Sequence, residues 1–139
     1  VCGYTPFDGA EYDYYTTTKG VLEKVKAHVG DVDFAVQPEL VSLLSSRNFG
    51  RYADEKGEMK VCFISNNDIT GGNSGSAMFN SKGELLGLAF DGNWEAMSSD
   101  ILYEPKMQRT IGVDVRYILF MIEKYGKAGN LIKELNIIN

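Results

Sequence analysis

GGNSGSAMFNSKGELLGLAFDG, residues 71–92, is the stretch on which the fold turns. Ser74 stands between Asn73 and Gly75, with Gly71 and Gly72 just before it, and the chain then runs into apolar, strand-like sequence. SAMF and ELLGLAF are two β-rich runs joined by NSKG, residues 80–83, and that spacing predicts a hairpin. The serine therefore feeds a hairpin and not a helix. A serine hydroxyl is a poor nucleophile until a base takes its proton, and the oxyanion that its attack creates needs backbone N–H donors aimed at it. Gly71 and Gly72 give the chain the freedom to turn so that the amides of Gly72 and Ser74 converge, and Gly75 keeps the neighbourhood uncluttered.

Two nucleophile architectures compete for such a motif. The elbow of α/β-hydrolases requires glycine two residues before and two after the serine, then a helix; here the second position is Ser76 and a strand follows. The chymotrypsin-like pattern has Gly-x-Ser-Gly, a strand, a tight hairpin, a second strand and an edge segment, and residues 72–92 match it. The plainer alternative is a glycine-rich turn with an exposed serine, against which the following hairpin weighs.

Outward from this centre, residues 11–18, EYDYYTTT, are dense in aromatic and β-branched side chains and predict a strand. VLEKVKAHV follows with Val21, Leu22, Val25 and Val29 at helical spacing; it carries His28, and Gly30 closes it. Pro38 suits a first helical turn, ahead of Leu40, Val41, Leu43 and Leu44. ADEKGE, residues 53–58, is turn chemistry before the strand MKVCFIS, residues 59–65. Residues 92–108 form a long irregular excursion containing Trp94, after which RTIGV returns as a strand. Asp114 is placed to cap a helix with the stripe Val115, Ile118, Leu119 and Ile122, stopped by Gly126, and a last helix carries Leu131, Ile132 and Leu135.

The 139 residues, 44% hydrophobic and 12% aromatic, suffice for one ordinary core, so a single domain spanning 1–139 is expected. Fourteen basic and nineteen acidic residues, interspersed and summing to −5, argue against nucleic acid or an anionic membrane surface as partner. No apolar stretch approaches the roughly 20 residues of a membrane helix, and residues 1–15 have neither a basic start nor an apolar signal core. A soluble chain is expected. It starts on Val1 and not on methionine, as a processed product or a piece of something longer would. Cys2 and Cys62 have no CxxC spacing and no clustered histidine, so neither a metal nor another cofactor is expected. Two separate thiols are the commoner reading, with a disulfide left open.

The stretch NDITGGNSGSAMFNSKGELLGLAFDGNWEAMSSDI, followed by RTIGVDVRYILFMIEKYGKAGNLIKEL, resembles the C-terminal segment of the bacterial dipeptidyl-peptidases of the dipeptidyl peptidase 7 and 11 type. TTTKGVLEK and RNFGRYADEKGEMKVCFIS extend the resemblance to nearly the whole chain. It implies a mainly β fold, the second barrel of a chymotrypsin-like serine exopeptidase with added helices, two of them C-terminal. It also implies a first barrel bearing His and Asp outside this chain, peptide substrates, a homodimeric parent, and the periplasm or cell surface of a Gram-negative bacterium. Carried onto this sequence, Ser74 is the nucleophile, the amides of Gly72 and Ser74 form the oxyanion hole, Asp91 binds the substrate's free α-ammonium, and Gly92 sets the primary specificity pocket. The family can carry arginine at the position of Gly92, which selects acidic side chains; glycine leaves the pocket open and uncharged and points to hydrophobic ones. Ala77 departs from the proline usual after GNSGS, which affects the turn into the strand. Asn73 stands where trypsin-like zymogens carry an aspartate that pairs with a newly cut amino terminus, and an amide cannot make that ion pair.

His28, Asp31 or Asp33, and Ser74 can be written in the order His, Asp, Ser from this chain alone. A lone histidine near a helix end is more often a cap or surface residue. Two other readings stand beside the peptidase: a small independent hydrolase using His28, and a non-catalytic peptide-binding module with a relic serine.

Overall fold

The computed structural model of the chain describes residues 3–5, 10–98 and 104–138. It is mainly antiparallel β-sheet with several helices. Strands β1 (Gly3–Thr5) and β2 (Ala10–Tyr12) pair as an antiparallel ribbon. A five-stranded sheet takes the order β3 (Tyr15–Thr17), β4 (Lys60–Ser65), β7 (Thr110–Asp114), β6 (Leu85–Gly92), β5 (Ala77–Phe79), and the β4–β7, β7–β6 and β6–β5 pairs are antiparallel. The single strand expected over residues 11–18 is thus two, broken at Asp13 and Tyr14, because the chain leaves one sheet there and enters the other.

The chain divides into two compact units, 1–16 with 62–115 and 17–61 with 116–139. In the first, side chains alternate across β7: Thr110, Gly112 and Asp114 are buried, Ile111 and Val113 half-buried. Two glycines let groups approach this sheet's backbone closely. A Cβ on Gly87 would lie 2.1 Å from the Val113 carbonyl oxygen, and one on Gly112 would lie 2.6 Å from Met78 Sδ and 3.1 Å from Phe63 Cζ. The Phe63 ring therefore covers backbone that bears no side chain.

The second unit holds α1 (Thr18–Ala27) and α2 (Pro38–Ser45), with Pro38 at the start of α2, where its missing N–H costs nothing. It also holds most of α3 (Val115–Phe120), which widens into a π-helical turn over Met121–Tyr125, and the short α4 (Gly129–Ile132). Leu44, Phe49, Tyr52, Met59, Leu119 and Phe120 form its core, with Phe49 and Tyr52 edge-on to Phe120. Val29, expected on the apolar stripe of α1, lies past the helix end and is 86% exposed. No helix among the described residues is long and apolar enough to cross a membrane. Cys2 lies outside the described residues; Cys62 carries a free thiol, and burial pushes its pKa up, away from the reactive thiolate.

Candidate active site

Ser74 lies in consecutive turns between β4 and β5, and the strand that follows begins at Ala77, opposite Leu88 of β6. The loop before it closes on itself: Asn73 N–H donates to the Thr70 carbonyl at 3.2 Å, and Asn73 Oδ1 accepts from Thr70 N–H at 2.9 Å. After it, Gly75 N–H donates to the Ala89 carbonyl at 2.7 Å, and Ala89 N–H to the Ser76 carbonyl at 2.9 Å, which ties the loop to β6. The amides of Gly72 and Ser74 alternate with these, and among the described residues neither donates to an acceptor. Gly72 at φ +99° and Gly75 at φ +86° set this alternation in a region of backbone space closed to most side chains. Unpaired amides beside an exposed hydroxyl are the donors that an oxyanion needs.

The Ser74 hydroxyl donates to the Phe90 carbonyl at 3.4 Å. Phe90 is the extra residue of a β-bulge, since Ala89 faces Gly112 and Asp91 faces Ile111. Such an insertion re-aims the groups beyond it. Here those are Asp91 and Gly92. Asp91 is exposed, its Oδ1 accepts from Gly92 N–H at 2.8 Å, and among the described residues no cation pairs with it.

Gly92 does not leave open space. A Cβ built there would meet Ala96 Cβ at 2.8 Å, Ile69 Cγ2 at 3.6 Å and the Arg109 carbonyl oxygen at 3.9 Å. A side chain here would press on the 3₁₀ turn Trp94–Ser98, which folds back onto the glycine.

His28 belongs to the other unit. Its N–H ends α1 on the Lys24 carbonyl, and its ring stacks on Phe34 at 4.1 Å, 15° from parallel. Asp31 Oδ1 accepts from Asp33 N–H at 3.0 Å and caps the turn Val32–Phe34. Among the described residues no carboxylate pairs with the imidazole.

Asn93 and Arg109 escape a reading of the sequence. Asn93 Oδ1 accepts from Arg109 N–H at 2.8 Å, its Nδ2 donates to the Met107 carbonyl at 2.8 Å and to Glu95 Oε2 at 2.6 Å, and the Arg109 guanidinium binds the carbonyls of Pro105, Lys106 and Gln108. In sequence Asn93 is only the residue after a DG turn, and most of its partners come from 14 to 16 positions away.

The family model described as Peptidase S46 matches residues 1–137. The chain is 60% identical over 136 residues to the dipeptidyl-peptidase 7 of Porphyromonas endodontalis, covering 98% of this chain and 16% of that protein. It is 58% identical over 136 residues to the dipeptidyl-peptidase 7 of Porphyromonas gingivalis, covering 98% of this chain and 19% of that protein. The crystal structure of Porphyromonas endodontalis DPP11 in complex with the dipeptide Arg-Glu superposes with a TM-score of 0.86 at 42% identity, covering 96% of this chain and 19% of that one. The chain therefore spans under a fifth of the length of these relatives.

Proposed function

This chain belongs to the peptidase S46 family, and on that premise we propose that it is the nucleophile-bearing part of a serine dipeptidyl-peptidase that releases dipeptides from free amino termini. The observation that carries the reading is the pattern of amides at Ser74, bonded at Asn73 and Gly75 and free of partners among the described residues at Gly72 and Ser74. In this reading the Ser74 hydroxyl attacks the scissile carbonyl. The two amides hold the oxyanion, and Asp91, which pairs with no cation among the described residues, binds the substrate's α-ammonium.

The general base and its orienting acid come from the rest of the polypeptide. His28, the one histidine of the chain, is engaged with Phe34. The sheet is accordingly assigned to the second barrel of a chymotrypsin-like peptidase. The exposed Phe79, Leu85, Leu86 and Phe90 of its β5–β6 hairpin are assigned to the surface that the rest of the polypeptide covers. Peptides are its substrates, the assembly is a homodimer, and its place is the periplasm or surface of a Gram-negative cell. Glycine at 92, with the methyl of Ala96 beside it, brings no charged side chain of its own to this wall, which favours a hydrophobic second residue.

The test uses the complete polypeptide containing this chain. It should cleave free-amine dipeptidyl substrates and fail on their N-acetylated forms, and it should prefer a hydrophobic second residue to Asp or Glu. Asp91→Asn should lower kcat/KM for the free amines and change that for the N-acetylated forms little. Equal cleavage of free and blocked substrates would end the exopeptidase assignment and leave Ser74 as a nucleophile. Faster cleavage after Asp or Glu would end the hydrophobic preference alone.

A further inference from the structure

Four polar functions of Asn93 are engaged at once, and together they fix the turn that stands over Gly92. The side-chain amide spans the Met107 carbonyl and the Glu95 carboxylate, its oxygen takes Arg109 N–H, its own N–H goes to the Arg109 carbonyl at 2.9 Å, and its carbonyl takes Ala96 N–H at 2.9 Å. This last bond holds Ala96 where its methyl lies 2.8 Å from the position of a Cβ on Gly92. The Arg109 guanidinium, spread over three carbonyls of residues 105–108, stiffens the segment to which Asn93 is tied. Ala96 can then yield only if this network yields.

We propose that Asn93 is a positioning residue for substrate selection: through Ala96 it sets the wall at Gly92 and so limits the size of the second substrate residue. The inference rests on the reading of Gly92 as the specificity position and deepens it. Selection is then a property of the Gly92–Asn93–Ala96 unit, and glycine at 92 is one part of it. An Asn93→Asp change keeps the acceptor for Arg109 N–H, removes both donors, and sets a carboxylate against Glu95. Adding Glu95→Gln turns that repulsion back into a hydrogen bond but leaves the Met107 carbonyl without its donor, so the double variant should recover part of what the single one loses.

The experiment measures kcat/KM of the complete polypeptide on free-amine dipeptidyl substrates with alanine, leucine or phenylalanine as second residue. Asn93→Asp should shift the phenylalanine-to-alanine ratio at least fivefold toward phenylalanine, mainly through KM, and Asn93→Asp with Glu95→Gln should reverse at least half of that shift. Ala96→Gly should shift the ratio in the same direction with Asn93 intact, and it carries the test if Asn93→Asp yields no folded protein. Loss of activity by one common factor on all substrates, with the ratio unchanged in both single variants, overturns the inference and makes Asn93 a purely structural residue. A wild type that releases no dipeptide from any of them overturns the proposed function, and this inference with it.

Discussion

At Asn73, one side chain does for the serine loop what a longer turn would otherwise have to do. Its carbonyl oxygen takes the Thr70 N–H while its backbone N–H returns to the Thr70 carbonyl, and Gly72 is left between them with its amide turned to no acceptor among the described residues. An aspartate would keep the acceptor, and an alanine would remove it. In the complete polypeptide Asn73→Asp should therefore keep kcat within a few-fold of wild type, whereas Asn73→Ala should lose about tenfold or more, the equivalent of one net hydrogen bond of about 1–1.5 kcal/mol. Steady-state kinetics on one dipeptidyl substrate decides it, and equal losses in the two variants would remove Asn73 from the positioning of the loop. The residue type was visible in GGNSGS; its reciprocal bond was not, since Asn next to glycine reads equally well as ordinary turn chemistry.

The β5–β6 hairpin followed from its sequence because its signals are local. Asn80 Oδ1 accepts from Lys82 N–H and Glu84 N–H at 2.9 and 3.0 Å, and Gly83 at φ +78° completes the turn. Its neighbour in space is another matter. Gly87 faces the Val113 carbonyl of β7 and the ring of Phe63, Gly112 faces Met78 and Phe63, and nothing in GELLGLAF marks Gly87 as the place where backbone approaches backbone. Gly87→Ala would set a methyl 2.1 Å from the Val113 carbonyl and should cost about 3 kcal/mol or more, seen as a lower urea midpoint. Gly71→Ala meets nothing within 4 Å and should leave the unfolding free energy within about 0.5 kcal/mol of wild type. The same loss at both glycines would show that the sheet does not depend on that approach.

For the molecule as a whole, stability against pH should be shaped by Tyr52 and Glu123 in the second unit. Burial, then the hydrogen bond to Glu123, pushes the Tyr52 hydroxyl up to about 12, and the same bond followed by that from Lys124 holds the Glu123 carboxyl below its ordinary range. A depressed carboxylate adds stability that is present above the unfolded pKa of about 4.3 and is lost as pH falls through the folded value. A raised phenol adds stability that is present below about 10 and is lost as pH rises through about 12. Tyr52→Phe should accordingly destabilise the chain by about 1–3 kcal/mol near neutrality, with the difference from wild type shrinking below pH 4. Urea unfolding at a series of pH values measures this, and a difference independent of pH would mean that the bond to Glu123 contributes nothing.

What the sequence by itself determined is what neighbouring residues decide among themselves: the hairpin over residues 76–92, the proline-started helix at Pro38, and the resemblance to dipeptidyl-peptidases of the 7 and 11 type. Tertiary structure decided where partners are far apart along the chain. It split the strand expected over residues 11–18 between two sheets, placed the Phe90 bulge between Ser74 and Asp91, and closed the space at Gly92 with Ala96. The reason is physical. Periodicity and turn propensity record a residue's preference for its own backbone conformation, whereas a close approach or a hydrogen bond between segments 16 residues apart, as from Arg109 N–H to Asn93 Oδ1, exists only once both segments are packed.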